Sequence, residues 1–356
     1  MAPIPCPVMR QTQRPPPVPR ARIALLLLVA ALVLLTSFGA RGSLLLPETA
    51  NPPPGFGDNR LYRDIATEVA AGKNYYEVAT RLQRERHYPV RPFYTVRPPL
   101  LAWASGWYGD LLWPACLLLG LATLVWLHNL EGRSIFERIM ALLFLLAAGL
   151  PLVLSPFRLY HDMWGGLFAA VALGLTEVRL AVIPAMLAVL VRELNAPLLG
   201  LFTLDRRSRP FAIAALALCL VALIQHRSAV LGWTLPGDPQ SQGWFGLRGP
   251  AGWVDDLSMN TVLHFLPRPA AALLAFAPLL GWAELGRHRA LAWCLGVFFM
   301  VTAVARPDNS YWIQGALPVW FIGLAFVPAF LLGLMKRDSI SPAALPARSE
   351  TDPTSP

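Results

Sequence analysis

Runs of about twenty mostly apolar residues, the length an α-helix needs to cross the hydrocarbon core of a bilayer, recur along this chain from Ile23 to near Leu334. A water-soluble domain cannot hide so many of them, because 55% of the 356 residues are hydrophobic and only 14% are charged. The expected fold class is an all-α polytopic membrane protein, a single domain whose main solvent is lipid. The net charge of +9 does not point to nucleic acid. No basic segment carries a nucleic-acid fold, and membrane proteins concentrate Lys and Arg in cytoplasmic loops. Cys6, Cys116, Cys219 and Cys294 lie far apart with no CxxC spacing and read as structural.

Hydropathy and the positions of basic residues together predict about ten transmembrane helices, some short, with both termini cytoplasmic. Residues 1–21, rich in proline and arginine, read as a disordered cytoplasmic tail. A first helix at about 22–40, favoured over a cleaved signal peptide because more helices follow, opens a long outer loop at 41–98. Helices at about 111–127, 135–154 and 163–176 come next, with Arg133, Arg138 and Arg179 in cytoplasmic turns. A single helix over 180–204 would strand Arg192 and Glu193 in lipid, at a cost of about 3 kcal/mol or more per charge. Two half-length helices meeting at Arg192–Glu193 on the outer side avoid this, with Asn195 and Pro197 available to break the segment. A helix at about 210–225 leads to a second outer loop at 226–260, followed by helices at about 261–285, 290–305 and 311–335. The membrane domain thus spans 22–335, and 336–356 reads as a second disordered cytoplasmic tail.

The first outer loop is basic on the side where the orientation rule disfavours it. Arg60, Arg63, Lys73, Arg81, Arg84, Arg86, Arg91 and Arg97 all fall between Asp58 and Pro98. A physical reason for keeping them is an anion bound at the membrane surface, since the planar arginine fork suits phosphate oxygens. Leu61, Ile65 and Val69 fall four apart, and Tyr75, Val78, Ala79 and Leu82 follow a similar spacing, so the loop should carry two interfacial amphipathic helices. The bland alternative is a charged lid over the bundle.

The outer surface offers scattered acids: Asp58, Asp64, Asp162, Glu193, Asp255, Asp256 and Asp308. A carboxylate there can take a proton from a hydroxyl or help hold a divalent cation, though a solvated loop acid is the simpler reading of any one of them. His161–Asp162 is more suggestive, standing where a short turn enters a helix; Asp162 alone could be an ordinary helix cap. The second loop's Trp244, Arg248, Trp253 and Asp255 read equally as an acceptor wall and as interfacial anchors. No GxxxxGK[ST], GxSxG or HExxH occurs. An enzyme working outside would need a lipid-carried donor.

A set of short motifs resembles the GT-C superfamily of membrane glycosyltransferases, closest to bacterial members linked to cell-surface glycopolymer formation. The motifs are Gly57-Asp58-Asn59-Arg60, Asn74-Tyr75-Tyr76, Tyr88-Pro89-Val90-Arg91-Pro92, Val96-Arg97-Pro98-Pro99-Leu100, Phe157 to Trp164, and Val191-Arg192-Glu193-Leu194. The resemblance implies a transferase in a bacterial inner membrane. It would pass a sugar from a polyprenyl-phosphate carrier to an envelope glycan or lipid acceptor on the outer, periplasmic face. In that reading Asp58 is the general base and Asp162 with His161 forms a second catalytic polar position. Arg60, Arg97, Arg158 and Arg192 contact the donor phosphate, and Glu193 and Tyr62 orient substrate. Many relatives carry a paired acid in the first loop, whereas Asp58 is followed by Asn59 and Arg60, which leaves a divalent cation open. Two other readings stay open: a non-catalytic lipid-binding scaffold of the same fold, and a transporter or flippase for lipid-linked glycans.

Overall fold

The computed structural model describes residues 19–38, 57–154 and 157–335. The expected disordered tails lie outside these residues apart from 19–21, as does the first part of the first outer loop. The described chain is helical throughout, and its one extended pairing is an isolated parallel bridge between Arg91 and Gln240.

Helix α1 (Pro19–Phe38) packs mainly against α12 (Arg268–Phe276). Between them in sequence come α2 (Asp58–Ala70), α3 (Tyr75–Glu85), α4 (Leu100–Tyr108), α5 (Leu112–Asn129), α6 (Ile135–Val153) and α7 (His161–Gly174). There follow α8 (Val182–Val191), α9 (Ala196–Thr203), α10 (Arg209–Gly232) and α11 (Gly249–Asn260). After α12 come α13 (Pro278–Leu285), α14 (His288–Ala303), α15 (Leu317–Trp320) and α16 (Val327–Met335).

Among the described residues five helical stretches are long and apolar enough to cross a membrane: Arg20–Phe38, Leu112–Asn129, Ile135–Val153, Arg209–Gly232 and Leu317–Met335. Their apolar side chains face outward as well as inward. On α1, Leu27, Leu28, Leu34 and Leu35 are each more than half exposed, an arrangement that water would penalise and lipid does not. The chain is a membrane protein. Several other segments are shorter than the sequence pattern suggests. The expected helix at 261–285 is divided by Pro267 and Ala277 into a 3-10 turn, α12 and α13. The expected helix at 311–335 begins as a 3-10 segment, Pro307–Gly315, and only then becomes apolar helix. Conversely α10 continues through His226 to Gly232, so the second loop starts later than 226.

Because lipid is as apolar as leucine, helices in a bilayer are held by close packing and internal polar contacts, not by expulsion of water. Gly281 and Gly323 show this. A Cβ on Gly281 would overlap the Gly323 carbonyl oxygen, so α13 and the 3-10 segment Phe321–Phe326 touch backbone to backbone. Gly166 of α7 lies nearly as close to the Gln314 carbonyl. Polar ties add to the packing. Arg22 pairs with Glu284 at 2.8 Å, and its guanidinium lies 5.3 Å from the Phe330 ring centroid.

The connections sort to two ends of the bundle. At one end Asn129 donates to the Gly174 carbonyl at 2.7 Å and Arg287 to the Asn129 carbonyl at 3.1 Å, while Arg289 pairs with Asp205. This gathers the α5–α6, α7–α8, α9–α10 and α13–α14 turns. At the other end the α3–α4, α8–α9, α10–α11 and α14–α15 connections line the site described next.

Candidate functional site

The site begins at the amphipathic pair α2 and α3. Leu61, Ile65 and Ala66 form the buried face of α2; Tyr75, Val78, Ala79 and Leu82 are buried on α3. Asn74 caps α3, its side chain accepting from the Tyr76 and Glu77 amides at 2.9 and 3.3 Å. Asp58 stands in the first turn of α2, where the helix amides favour a carboxylate. The following segment is held from beneath. Gln83 donates to the carbonyls of Pro89 and Thr95 at 3.3 and 3.1 Å, and Tyr75 donates to the Arg97 carbonyl at 2.6 Å.

That anchoring fixes Arg97. Its Nε donates to the Tyr62 hydroxyl at 3.2 Å and one terminal nitrogen donates to the Tyr311 hydroxyl at 3.1 Å. Its protein partners are thus neutral phenols, and among the described residues no carboxylate forms an ion pair with it. Burial pushes the Tyr62 hydroxyl well above its ordinary range even with Arg97 beside it, so it remains a proton donor. A guanidinium held by neutral groups keeps its full charge available to an anion.

Arg97 and Asp58 share a polar cavity of about 590 Å³ with Tyr62, Arg86, Tyr88, Arg192, Trp244, Arg306 and Tyr311. Tyr88 hydrogen-bonds to Asp58, and burial raises its hydroxyl before Asp58 adds to the effect. Burial, then the charge of Asp58, also raises the Tyr160 hydroxyl, to about 12. Asp58 therefore sits among phenols that stay protonated, as an acceptor facing the cavity.

Behind this front lies a buried ion network. Arg192 interrupts the chain between α8 and α9 with extended backbone (φ −149°, ψ 108°), and its side chain is 3% exposed. Its Nε donates to Asp162 Oδ1 at 2.8 Å and it also pairs with Glu193. Asn195 secures the break by donating to the carbonyls of Ala188 and Arg192, both at 3.1 Å. His161 packs edgewise on Tyr62, ring centroids 5.1 Å apart. Burial, then the charges of Arg97 and Arg192, hold its imidazole well below the ordinary histidine range, so it is neutral.

A second cavity, about 540 Å³ and mainly apolar, runs between α4, α8 and α10, lined by Pro98, Leu100, Trp103, Leu190, Leu220 and Leu223, with Tyr76, Glu193, Gln225 and His226 as its polar residues. The two linings take consecutive residues at two points along the chain. Arg97 lines the polar cavity and Pro98 the apolar one; Arg192 lines the polar cavity and Glu193 the apolar one.

Of the residues singled out from sequence, Asp58, Tyr62, Arg97 and Arg192 face the polar cavity together. His161, Asp162 and Glu193 lie beside them through Tyr62 and Arg192. Arg60 and Arg158 are not among the lining residues. Arg60 is on the exposed face of α2, 3.9 Å from Asp64, because residues 60 and 64 share one side of the helix. Arg158 pairs with Asp110 and donates to the Val153 carbonyl at 3.0 Å, so its donors serve the α4–α5 turn and the end of α6.

In the second loop only Trp244 of the four candidates reaches the cavity. Trp253 is fully buried, its ring centroid 4.8 Å from that of Trp320. Asp255 pairs with Arg268, and Arg248 makes a two-point contact with Asp256 at 2.7 and 2.8 Å. Burial raises the Asp256 carboxyl to about 6 against the pull of Arg248. The loop is tied to the first by Arg84–Asp238 and by the Val90 amide donating to the Pro239 carbonyl at 2.9 Å.

Sequence reasoning missed the wall made by Arg306, Asn309, Tyr311 and Trp312. The available signal was the polar interruption Pro307-Asp308-Asn309-Ser310 between two apolar runs. Among the described residues no group of three His, Cys, Asp or Glu side chains is placed to hold a metal ion. Asp58 and Asp308 are the cavity's only carboxylates among the lining residues, and Asp308 pairs with Arg306. That donor set does not fit a divalent-cation site. Comparison with known proteins finds no matching family model, no matching curated protein and no matching solved structure.

Proposed function

We propose that the protein is a membrane glycosyltransferase of the GT-C type, moving a sugar from a polyprenyl-phosphate carrier to an acceptor hydroxyl at the outer face of a bacterial inner membrane. The observation that carries this reading is the closeness of the two cavities, whose linings take consecutive residues at Arg97–Pro98 and at Arg192–Glu193. An amphiphile with an apolar tail and an anionic head suits two such cavities placed side by side. The tail takes the apolar cavity, the phosphate meets Arg97, and the sugar projects into the polar cavity toward Asp58.

In the reaction the acceptor oxygen attacks the anomeric carbon as the carbon–oxygen bond to phosphate breaks. The hydroxyl proton passes to Asp58, and the electron pair leaves on the polyprenyl phosphate. Asp58, surrounded by protonated phenols, is the general base. Arg97, with no carboxylate in an ion pair with it among the described residues, stabilises the charge that develops on the departing phosphate. Arg192 holds Asp162 and Glu193 and sets the electrostatic floor beneath Arg97, while neutral His161 packs against Tyr62 and keeps it in place for Arg97. No step in this scheme passes through a metal ion.

The arginines of the short turns support this orientation. Arg133, Arg138, Arg179, Arg206, Arg207 and Arg289 occur in or beside the short turns gathered at the end of the bundle away from the cavity, the bias expected of a cytoplasmic side. The eight basic residues from Arg60 to Arg97 lie instead in a long loop, where the rule is weak. The cavity then opens outside, both chain ends are cytoplasmic, and the shorter helices bring the spanning segments to about ten. In this frame α2 and α3 lie in the headgroup layer.

The test is transfer from radiolabelled polyprenyl-phosphate sugars by the purified full chain in lipid nanodiscs, compared with Asp58→Asn. Transfer by the wild type and its loss in an Asp58→Asn protein of unchanged melting temperature is the expected result. Equal transfer by both would remove Asp58 as base; no transfer from any donor would favour the scaffold or transporter readings.

A further inference from the structure

The transfer chemistry uses one half of the polar cavity and leaves the other half unexplained. There Tyr94, Trp244 and Trp312 form a continuous aromatic corner, with ring centroids 4.4 Å apart between Tyr94 and Trp244 and 5.8 Å between Trp244 and Trp312. An aromatic cluster that served only packing would be closed by apolar neighbours. This one is fringed by Gln242, Arg306, Asp308 and Asn309.

Two donors in the fringe are buried without an acceptor: Trp312 Nε1 and Asn309 Nδ2, on residues 2% and 8% exposed. Neither has an acceptor among the described residues, so a small shift of either side chain toward the cavity offers a donor to a ligand rich in acceptor oxygens. The fringe also supplies acceptance. Asp308 is paired with Arg306, whose other terminal nitrogen donates to Gln242 at 2.9 Å, so the carboxylate is held at the cavity edge. Flat aromatic faces edged by both donors and acceptors suit a molecule with apolar C–H faces and a rim of hydroxyls. A lipid tail has no use for the unpaired donors, and the apolar cavity already offers it a place.

We propose that the Tyr94–Trp244–Trp312 corner is a saccharide subsite that seats the terminal sugar of the acceptor, which makes the acceptor a glycan. The acceptor role rests on the transferase reading above; the binding of a sugar ring does not. Trp244 lines the same cavity as Asp58, so a ring seated on it shares that space with the residue that takes the acceptor's proton.

The experiment is saturation-transfer difference NMR on the full chain in nanodiscs. Methyl glycosides and linear trisaccharides of common hexoses and pentoses serve as probes, with wild type, Trp244→Ala and Trp244→Tyr compared. At least one probe should bind the wild type, lose affinity at least tenfold in Trp244→Ala, and recover in Trp244→Tyr. Absence of binding by every probe, or equal binding by Trp244→Ala, overturns the subsite. In the transfer assay Trp244→Ala should raise the acceptor KM at least tenfold and leave the donor KM unchanged; a change confined to the donor KM overturns the acceptor assignment. Sugar binding that depends on Trp244 in a protein with no transfer would uphold the subsite and sink the transferase reading.

Discussion

Arg192 Nε donates to Asp162 Oδ1 across 2.8 Å, joining the break between α8 and α9 to the first turn of α7. Both side chains are under a tenth exposed. Removing one partner of such a pair leaves an uncompensated buried charge, at a cost of about 3–5 kcal/mol. Arg192→Met should therefore lower the melting temperature steeply, because Asp162 and Glu193 lose their shared cation together. An unchanged melting temperature would show that water reaches the network.

Arg97 bridges two phenols through different nitrogens, which a lysine ammonium on a single flexible stem cannot reproduce. Arg97→Lys should keep the fold and reduce kcat/KM for transfer by about two orders of magnitude, a loss of about 2.7 kcal/mol of transition-state stabilisation. Steady-state kinetics with the polyprenyl donor check this. A variant as active as wild type would show that point charge alone suffices.

His161 stays neutral in the fold because burial and two neighbouring arginines oppose its protonation. Its folded pKa lies below the unfolded value of about 6.5, so below that pH the unfolded chain takes up a proton that the folded chain refuses. The stability linked to His161 is full above about pH 6.5 and is lost as pH falls, at up to about 1.4 kcal/mol per pH unit. Melting temperatures from pH 8 to 5 should fall more steeply for wild type than for His161→Gln. Parallel curves would refute the assignment.

The Gly281–Gly323 contact leaves no room for a side chain, whereas a Cβ on Gly120 of α5 would meet nothing within 4 Å. Gly281→Ala should separate α13 from the Phe321–Phe326 segment and prevent recovery of folded protein. Gly120→Ala should be neutral or stabilising by about 0.5–1 kcal/mol, since alanine is the better helix former. Thermal unfolding of the two variants side by side tests the contrast.

Several features were legible along the chain. The spacing of Leu61, Ile65, Tyr75, Val78, Ala79 and Leu82 marks the faces that α2 and α3 bury, and the cost of Arg192 and Glu193 in lipid marks the break between α8 and α9. These are local properties, set by helix periodicity and by the energy of a charge in hydrocarbon. The roles of the arginines were less accessible. Arg60, Arg97 and Arg158 are the same residue type at comparable loop positions, yet one is exposed beside Asp64, one is held by phenols and one pairs with Asp110.

Sequence by itself determined that this is a helical membrane protein with a basic, amphipathic first loop, because hydrophobic length and periodicity are written residue by residue. Only the tertiary structure decided that Asp58, Arg97, Arg192 and Trp312, spread from the start of α2 to the segment after α14, share one cavity. It also decided that Arg97 lines this cavity while the next residue, Pro98, lines an apolar one. The reason is physical: a charge's partners are chosen by distance in space, and in a helical bundle that distance is set by which helices pack together, not by separation along the chain.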